Sequence, residues 1–361
     1  MNAPKLDATV VIPTYNRRDT LLRTLTILAR VEYPADRWEA VVVDDGSSDG
    51  TSSAVEEWIK QNQAPIRCLY QTNAGPATAR NRGAESARGR VLIFLDNDIE
   101  VRPDFLRLHL ETLAAHPGCW ILGRTVNPPE LRQTPFGRFR DVVHESSYSQ
   151  YPEDQVSVIE SGLAGTNLSM PATDLRRLGG FNEQFAAASD EDQELGIRAR
   201  AAGIRVLYHP QLVALHNDWA DTLERFCERN RIYSKSGVFY WQLHGPACPP
   251  GRTRLVLENA PIDWKRDTRS LVLKKLLKSV LATPPGPWLV RLGCGLAERF
   301  APESALCWRA YHLRVGLAIF QGVREGWRCY VVSSTAPLTA STSPKEGSPA
   351  AAESGSRAES S

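Results

Sequence analysis

What the 361-residue sequence lacks narrows its class first. No stretch approaches the roughly 18 consecutive apolar residues that span a bilayer. Seven cysteines (Cys68, Cys119, Cys227, Cys248, Cys294, Cys307 and Cys329) are scattered, odd in number and never paired as C-x-x-C. Neither a disulfide framework nor a zinc site is therefore indicated, and a reducing compartment fits best. The formal charge is only +2, without the basic stripe that nucleic-acid binding requires, so no nucleic-acid partner is expected. The opening MNAPKLDATVV has no basic start, apolar middle or small-residue cleavage site. The chain is read as cytoplasmic, or peripheral at the inner face of the membrane, and not secreted. Nor does a G-x-G-x-x-G follow any strand; GCGLAE, from Gly293, is a near match in a helical context.

Against these absences stand 42% hydrophobic residues and nearly balanced charge, enough for one large domain or a domain with an appended module. ATVVIP (8–13), EAVVVDD (39–45), IRCLYQ (66–71) and VLIFLD (91–96) read as strands separated by helical periodicity. Leu21, Leu22, Leu25 and Leu28 mark the first helix, and Val55, Trp58 and Ile59 the second, after the turn GSSDG. The third spans Pro76 to Arg88, with Gly89 placed to end it. Strands that are apolar throughout and alternate with helices predict an α/β fold, its parallel sheet covered on both faces. Ligands of such sheets bind at the carboxyl ends of the strands.

Acids stand at those ends. Asp44 and Asp45 close the second strand; Asp96 and Asp98, with Asn97 between them, close the fourth. Isolated charge is costly to desolvate, so carboxylates behind a buried strand call for something positive beside them. A hard divalent cation bridging a phosphate-bearing ligand would serve, because Mg2+ and Mn2+ take oxygen ligands from one or two carboxylates plus phosphates. Alternate residues of an extended segment point the same way, which would let Asp96 and Asp98 converge. The plain alternative is that DND and DDGSSDG are turns in which Asp and Asn bond their own backbone.

The order of the pieces adds to this. VVIPTYNR (10–17), VVVDDGSSDGT (41–51), NAGPATARNRGAESARG (73–89), VLIFLDND (91–98), LGGFNEQF (178–185) and DEDQELGIRARAAG (190–203) closely resemble, in order and spacing, the family-two glycosyltransferases of GT-A fold, over roughly residues 8–220. That resemblance implies a single Rossmann-like sheet sandwiched by helices and an inverting, metal-dependent transferase. It would move a sugar from a nucleotide-diphosphate donor, a uridine one by this reading, to a glycan, polysaccharide or lipid-linked acceptor. Pro13 and Tyr15 match the positions beside the nucleotide base. Asp45, with Asp44 as second candidate, matches the acid that reads a base edge. Gly75 and Arg80 match the segment passing close to the nucleotide, although Arg80 could instead share a solvated helix face with Arg82 and Arg88. Asp96 matches the acid that contacts ribose or metal, and Asp98 the one that binds Mn2+ or Mg2+. His216, rather than His209, matches a third metal ligand. Gly165 and Asn167 match positions near the donor sugar. Asp192, beside Glu191, matches the general base that takes the acceptor hydroxyl's proton. Ser189 and Asp192 also read as a capping box, S-x-x-D at a helix start. A nucleotidyltransferase is ranked lower because PTYNRR replaces a Gly-rich loop after the first strand. A catalytically silent nucleotide-sugar-binding module stays open, because relatives often carry an acid where Asn97 stands.

The division expected is a catalytic domain over 1–225, a helical and partly amphipathic extension over 226–332, and a disordered tail over 333–361 rich in Ser, Ala, Thr, Pro and Glu. Residues 127–160 read as an irregular connection, a place for acceptor contacts. Within 265–299, Leu273, Leu276, Leu277 and Val280 lie beside Lys274, Lys275 and Lys278. Such a face either rests on an anionic membrane surface or packs against the protein.

Overall fold

A computed structural model describes residues 6–160, 162–185, 189–218 and 222–332. Strands β1 (Leu6–Thr14), β2 (Trp38–Asp44), β3 (Ile66–Tyr70) and β4 (Gly89–Leu95) are mutually parallel, in the order β3-β2-β1-β4. Their two-residue alternation sends side chains into two cores. Val10, Ile12, Val42 and Ile93 pack with Leu21 and Leu25 of α1 (Arg18–Leu28) and Val55 of α2 (Thr51–Asn62). On the opposite face, Val11, Leu92 and Phe94 pack with Ala77 of α3 (Pro76–Glu85). Both faces are covered, which is why these strands are apolar at every position.

Past β4 the sheet becomes mixed. β8 (Asn167–Pro171) runs antiparallel between β4 and β6 (Cys119–Val126), and β9 (Arg205–His216) runs parallel to β6. β5 (Ile99–Val101) and β7 (Ser157–Val158) pair antiparallel with β9. Helices α4 (Phe105–Ala115), α6 (Ala172–Leu178) and α7 (Glu191–Ala201) complete the layers. From α8 (Leu223–His244) the chain is helical, through α9 (Pro250–Asn259), α10 (Arg269–Leu281), α11 (Gly286–Phe300) and α12 (Ala305–Gly326). Among the described residues no helix is long and apolar enough to cross a membrane.

Two local expectations are corrected. Gly89 begins β4, and α3 has already ended at Glu85. A Cβ on Gly89 would lie 2.4 Å from the backbone of Ala8 and Thr9, so the glycine permits close strand approach. The stretch 127–160 is not irregular, because α5 (Pro135–Ser146) occupies its centre. Thr134 caps that helix by accepting from Gly137 N–H at 2.9 Å, with Pro135 in its first turn, where a missing N–H costs nothing. Phe136 and Phe139 fix α5 against Tyr311 of α12 and Leu223 of α8, contacts too distant in sequence for local periodicity to show. The tail expected over 333–361 lies outside the described residues.

Candidate active site

The carboxyl ends of β1, β2 and β4 and the end of β9 meet around the acids. β4 stops at Leu95, and residues 96–98 turn sharply, with Ile99 N–H donating to Asp96 O at 3.3 Å. The two carboxylates thus converge through a turn and not along an extended strand. Asn97 supplies its anchors: its side-chain amide donates to Pro13 O at 3.2 Å, and its carbonyl accepts from Thr24 Oγ1 at 2.8 Å. The antiparallel register of β5 on β9 pairs Ile99 with His216, and Asn217 N–H donates to Asp98 O at 2.7 Å. This brings His216 Nε2 to 3.5 Å from Asp98 Oδ1.

The positive partners that the sequence demanded are therefore in the chain itself. Arg80 Nη2 donates to Asp96 Oδ1 at 2.8 Å, while Arg80 Nη1 donates to Glu191 Oε1 at 2.7 Å. Arg80 is buried, whereas Arg82 and Arg88 are exposed, so the solvated-face reading of Arg80 does not hold. A Cβ on Gly165 would come within 3.3 Å of this guanidinium, so the glycine leaves room for it. Arg80 Nε is buried with no hydrogen-bond partner among the described residues, a donor left for a ligand oxygen.

Burial shapes the titration of the group, and the charges then adjust it. It lifts Asp96 above the usual carboxylate range, and Arg80 restrains the rise. Burial would lift Asp98 too, but the hydrogen bond and charge of His216 hold it below that range. His216 is pulled down by burial and pulled up more strongly by Asp98, ending raised. Asp192 stands well above the usual carboxylate range, through burial first and the neighbouring Glu191 charge second.

Helix α7 presents two acids differently. Glu191 is buried, its oxygens taken by Arg80 and by Ser189 N–H at 2.8 Å. Asp192 is half-buried, with Oδ2 accepting from Gly165 N–H at 3.0 Å and Oδ1 from Gln193 N–H at 2.7 Å. The capping box is not formed. Asp190 holds the N-cap position, and the Ser189 hydroxyl bonds Ser236 of α8 at 2.7 Å. Asp190 also pairs with Arg252 of α9, tying the acid-bearing helix to the C-terminal helices.

At the end where the sequence places a nucleotide, Pro13 is buried in β1 and Tyr15 is exposed just past it. Asp44 accepts from Ser47 N–H at 2.9 Å and from Ser52 Oγ, which is turn chemistry. Asp45 accepts from Gln71 Nε2 at 2.7 Å, Ala74 N–H at 2.8 Å and Gly75 N–H at 2.9 Å. A carboxylate has about four acceptor positions, so Asp45 keeps roughly one free. Gly75 has φ +93°, a backbone that favours glycine, and starts α3.

Other candidates fall elsewhere. Asn167 is fully buried, its amide donating to Leu212 O at 3.0 Å and its carbonyl 2.9 Å from His109 Nε2. Those bonds commit it to joining β8, β9 and α4, which leaves nothing to offer a donor sugar. His209 accepts from its own strand at Gln211 N–H and is not brought to the acids. Sequence reasoning missed Tyr233 of α8, exposed and within reach of the charges of Asp192, Asp96 and Glu191. Although the residue as a whole is 40% exposed, desolvation at its hydroxyl, with these charges, pushes the phenol up to about 12. Only the placement of α8 over α7 reveals it.

Among the described residues no three His, Cys, Asp or Glu side chains form a metal cage. Asp98 and His216 nonetheless offer one oxygen and one nitrogen close together, and Asp96 keeps Oδ2 after Oδ1 is given to Arg80. That donor set fits a hard divalent cation whose remaining ligands are phosphate and water oxygens.

Residues 9–169 match the family model described as glycosyl transferase family 2. The validoxylamine A glucosyltransferase of Streptomyces hygroscopicus subsp. jinggangensis is 34% identical over 54% of this chain and 51% of its own. The putative teichuronic acid biosynthesis glycosyltransferase TuaG of Bacillus subtilis is 35% identical over 28% of this chain and 40% of its own. The chain thus spans about half or less of the length of these curated relatives. A solved mannosyltransferase of Pyrobaculum calidifontis, in complex with GDP-Man and Mn2+, superposes with a TM-score of 0.56 at 21% identity, over 89% of this chain and 87% of that one. Strand order, register and this superposition agree on a GT-A fold, and within it residues 9–169, a little under half of the chain, are similar to the family 2 glycosyltransferases.

Proposed function

We propose that the protein is a glycosyltransferase that moves a sugar from a nucleotide-diphosphate donor, most simply a uridine one, to a hydroxyl of a glycan, polysaccharide or lipid-linked acceptor, with inversion. The observation that carries this reading is Asp192. It is the half-exposed member of a carboxylate cluster at the strand ends, held in place by the Gly165 N–H. A raised pKa suits a carboxylate that must take a proton from a hydroxyl while the sugar's anomeric carbon is attacked from the opposite side to the leaving diphosphate. Inversion follows from a single displacement.

Asp45 would accept from the ring N–H of the base, with Tyr15 and Pro13 bordering it, and Gly75 lets the backbone pass close. The free Nε of Arg80 would donate to a donor oxygen. Asp98 and His216 would hold Mn2+ or Mg2+ together with phosphate and water oxygens, with Asp96 beside them. When bound there, such a cation supplies neutralising charge to the departing diphosphate. The Mn2+ named with the Pyrobaculum mannosyltransferase supports the cation, and its GDP-Man, with the glucosyl transfer named for the Streptomyces relative, supports a nucleotide-diphosphate sugar without favouring uridine. In this reading the catalytic unit runs over 1–225, and 226–332 is an appended helical unit.

The engagement of Asp96 by Arg80 favours one rival, a module that binds nucleotide sugar without turnover. Release of nucleoside diphosphate from a panel of sugar donors, with Mn2+ and then with EDTA, separates the two. The parent chain should turn over with metal, and Asp192→Asn should lose ~100-fold or more in kcat. The substitution should cost no more than about 1 kcal/mol in stability, the scale of a helix-start contact. Because the Asp192 pKa is raised, the acid limb of kcat should lie above the ordinary carboxylate range. Tight donor binding with no product from any acceptor, or an Asp192→Asn chain that keeps most of its turnover, overturns the enzyme reading.

A further inference from the structure

Helix α10 is built inside out. Its apolar residues Leu273, Leu276, Leu277 and Val280 recur at helical spacing and are all exposed. Two of its three lysines turn inward: Lys275 is 1% exposed, with Nζ 2.8 Å from Asp267, and Lys278 Nζ donates to Asn259 Oδ1 at 2.7 Å. An amphipathic helix in a water-soluble core buries the opposite side. Placing leucines in water while desolvating an ammonium is unfavourable unless another apolar phase covers the leucines.

The neighbouring helices repeat the pattern. On α11, Trp288, Leu292, Leu296 and Phe300 form a second exposed stripe, and Phe300 is 75% exposed. Between α11 and α12 lies an open groove of about 620 Å3, walled by residues including Leu289, Leu296, Phe300, Leu306 and Leu313, with Arg309 on its lining. Trp264, just before α10, is 74% exposed.

Charge decides what covers this face. From Lys265 to Arg314 the sequence holds ten Lys and Arg against three Asp and Glu. Arg269, Lys274, Arg291, Arg299 and Arg309 are exposed. The one exposed acid in the stretch, Glu303, is paired with Arg138 at 2.8 Å. Apolar stripes with exposed Trp, bordered by cations that outnumber the acids of the stretch, match the boundary between headgroups and acyl chains in an anionic leaflet. The segment 333–361 does not match it, because its 29 residues contain a single large apolar residue, Leu338. A second copy would bring the same positive surplus against itself.

We infer that helices α10, α11 and the start of α12 form a docking face for an anionic lipid bilayer, lying in the interface and not spanning it. The inference stands apart from the catalytic reading, because it requires only binding. The test is co-sedimentation of the full chain with vesicles of phosphatidylcholine alone and of phosphatidylcholine with phosphatidylglycerol at roughly three to one. Anionic vesicles should bind the chain at least ~10-fold better than neutral ones, and added salt should weaken the binding. Leu292→Glu/Leu296→Glu should abolish it, and Leu273→Glu/Val280→Glu provides a second pair should the first lose its circular dichroism melt. Lys274→Glu/Arg309→Glu should weaken it about five-fold or more per residue. A chain that stays in the supernatant with anionic vesicles overturns the inference, as does binding unchanged in folded apolar variants. Self-association in sedimentation velocity that the same apolar substitutions remove would also overturn it, making the face a contact between copies.

Discussion

Arg80→Met tests whether the acids are held together by the chain's own cation. Methionine keeps the length of the side chain and removes its charge and donors. Arg80 is 7% exposed, its Glu191 partner 4% and its Asp96 partner 27%, so the site is largely dry. Removing one partner of a buried pair costs on the order of 3–5 kcal/mol, because the charge left behind has neither water nor counterion. The sign with pH follows from the carboxyls. Asp96 and Asp192 already titrate above the usual range, and Arg80 lowers both, so its loss raises them further. A carboxyl with a raised folded pKa binds more protons folded than unfolded between its two values. Its effect on stability is least harmful below the unfolded value of about 4 and worsens as pH rises through the folded one. Urea unfolding of parent and variant in EDTA, at about pH 4.5 and about pH 8, should show a deficit near 3 kcal/mol or more at the higher pH and a much smaller one at the lower. A deficit below about 1 kcal/mol, or one equal at both pH values, would show that the carboxylates do not depend on Arg80.

His109 supplies an acid-sensitive element away from the site. It is fully buried between Ser169 and Asn167, and burial pushes its pKa down to about 4. The neutral ring is stabilising above about pH 6.5, and as pH falls toward 4 the unfolded chain gains a proton that the folded one refuses. Up to about 3 kcal/mol should be lost across that interval, and His109→Gln, less stable at neutral pH, should flatten the pH profile of urea unfolding. Gly83→Ala should destabilise by about 1–3 kcal/mol in the same assay, because the added Cβ would meet Val11 Cγ1 at 2.4 Å where α3 packs on β1. A neutral result there would mean that α3 sits farther from the sheet.

The strands and the rim acids were legible in the sequence for one reason. Doubly covered strands leave continuous apolar runs, and whatever polar residue ends such a run stands at the carboxyl edge. Asp45, Asp96 and Asp98 could be picked out in this way, whereas His216 rested on the family resemblance. What stayed hidden depends on contacts between remote residues. Arg80 reads like its neighbours Arg82 and Arg88, and its burial is decided by Glu191, 111 positions away. Asn167 looked like a ligand because a buried amide and a binding amide are the same residue type. Thr134 and Pro135 were a helix start, yet prolines suggested irregularity until the packing of Phe136 and Phe139 was visible. The mixed half of the sheet was also unreadable, since β8 joins β4 only through pairing.

The charge balance of the rim ties these results together. Asp96, Asp98, Glu191 and Asp192 face the guanidinium of Arg80 and the imidazole of His216, and the charge of Arg17 also reaches Asp98. Even with the imidazole protonated, four carboxylates exceed these three cations. Desolvated like charges cannot all ionise, so the imbalance must be relieved by protons or by a further cation. The chain shows the first route in the raised pKa of Asp192, whose oxygens accept from the backbone N–H groups of Gly165 and Gln193 and, among the described residues, from no cation. A divalent ion at Asp98 and His216 would be the second, and it would favour ionised Asp192. Proton and metal then compete to neutralise one cluster, so the amide at Asn97 is informative: a third acid between Asp96 and Asp98 would deepen a deficit that the site already has to relieve, while Asn97 fastens the turn to Pro13 without adding charge.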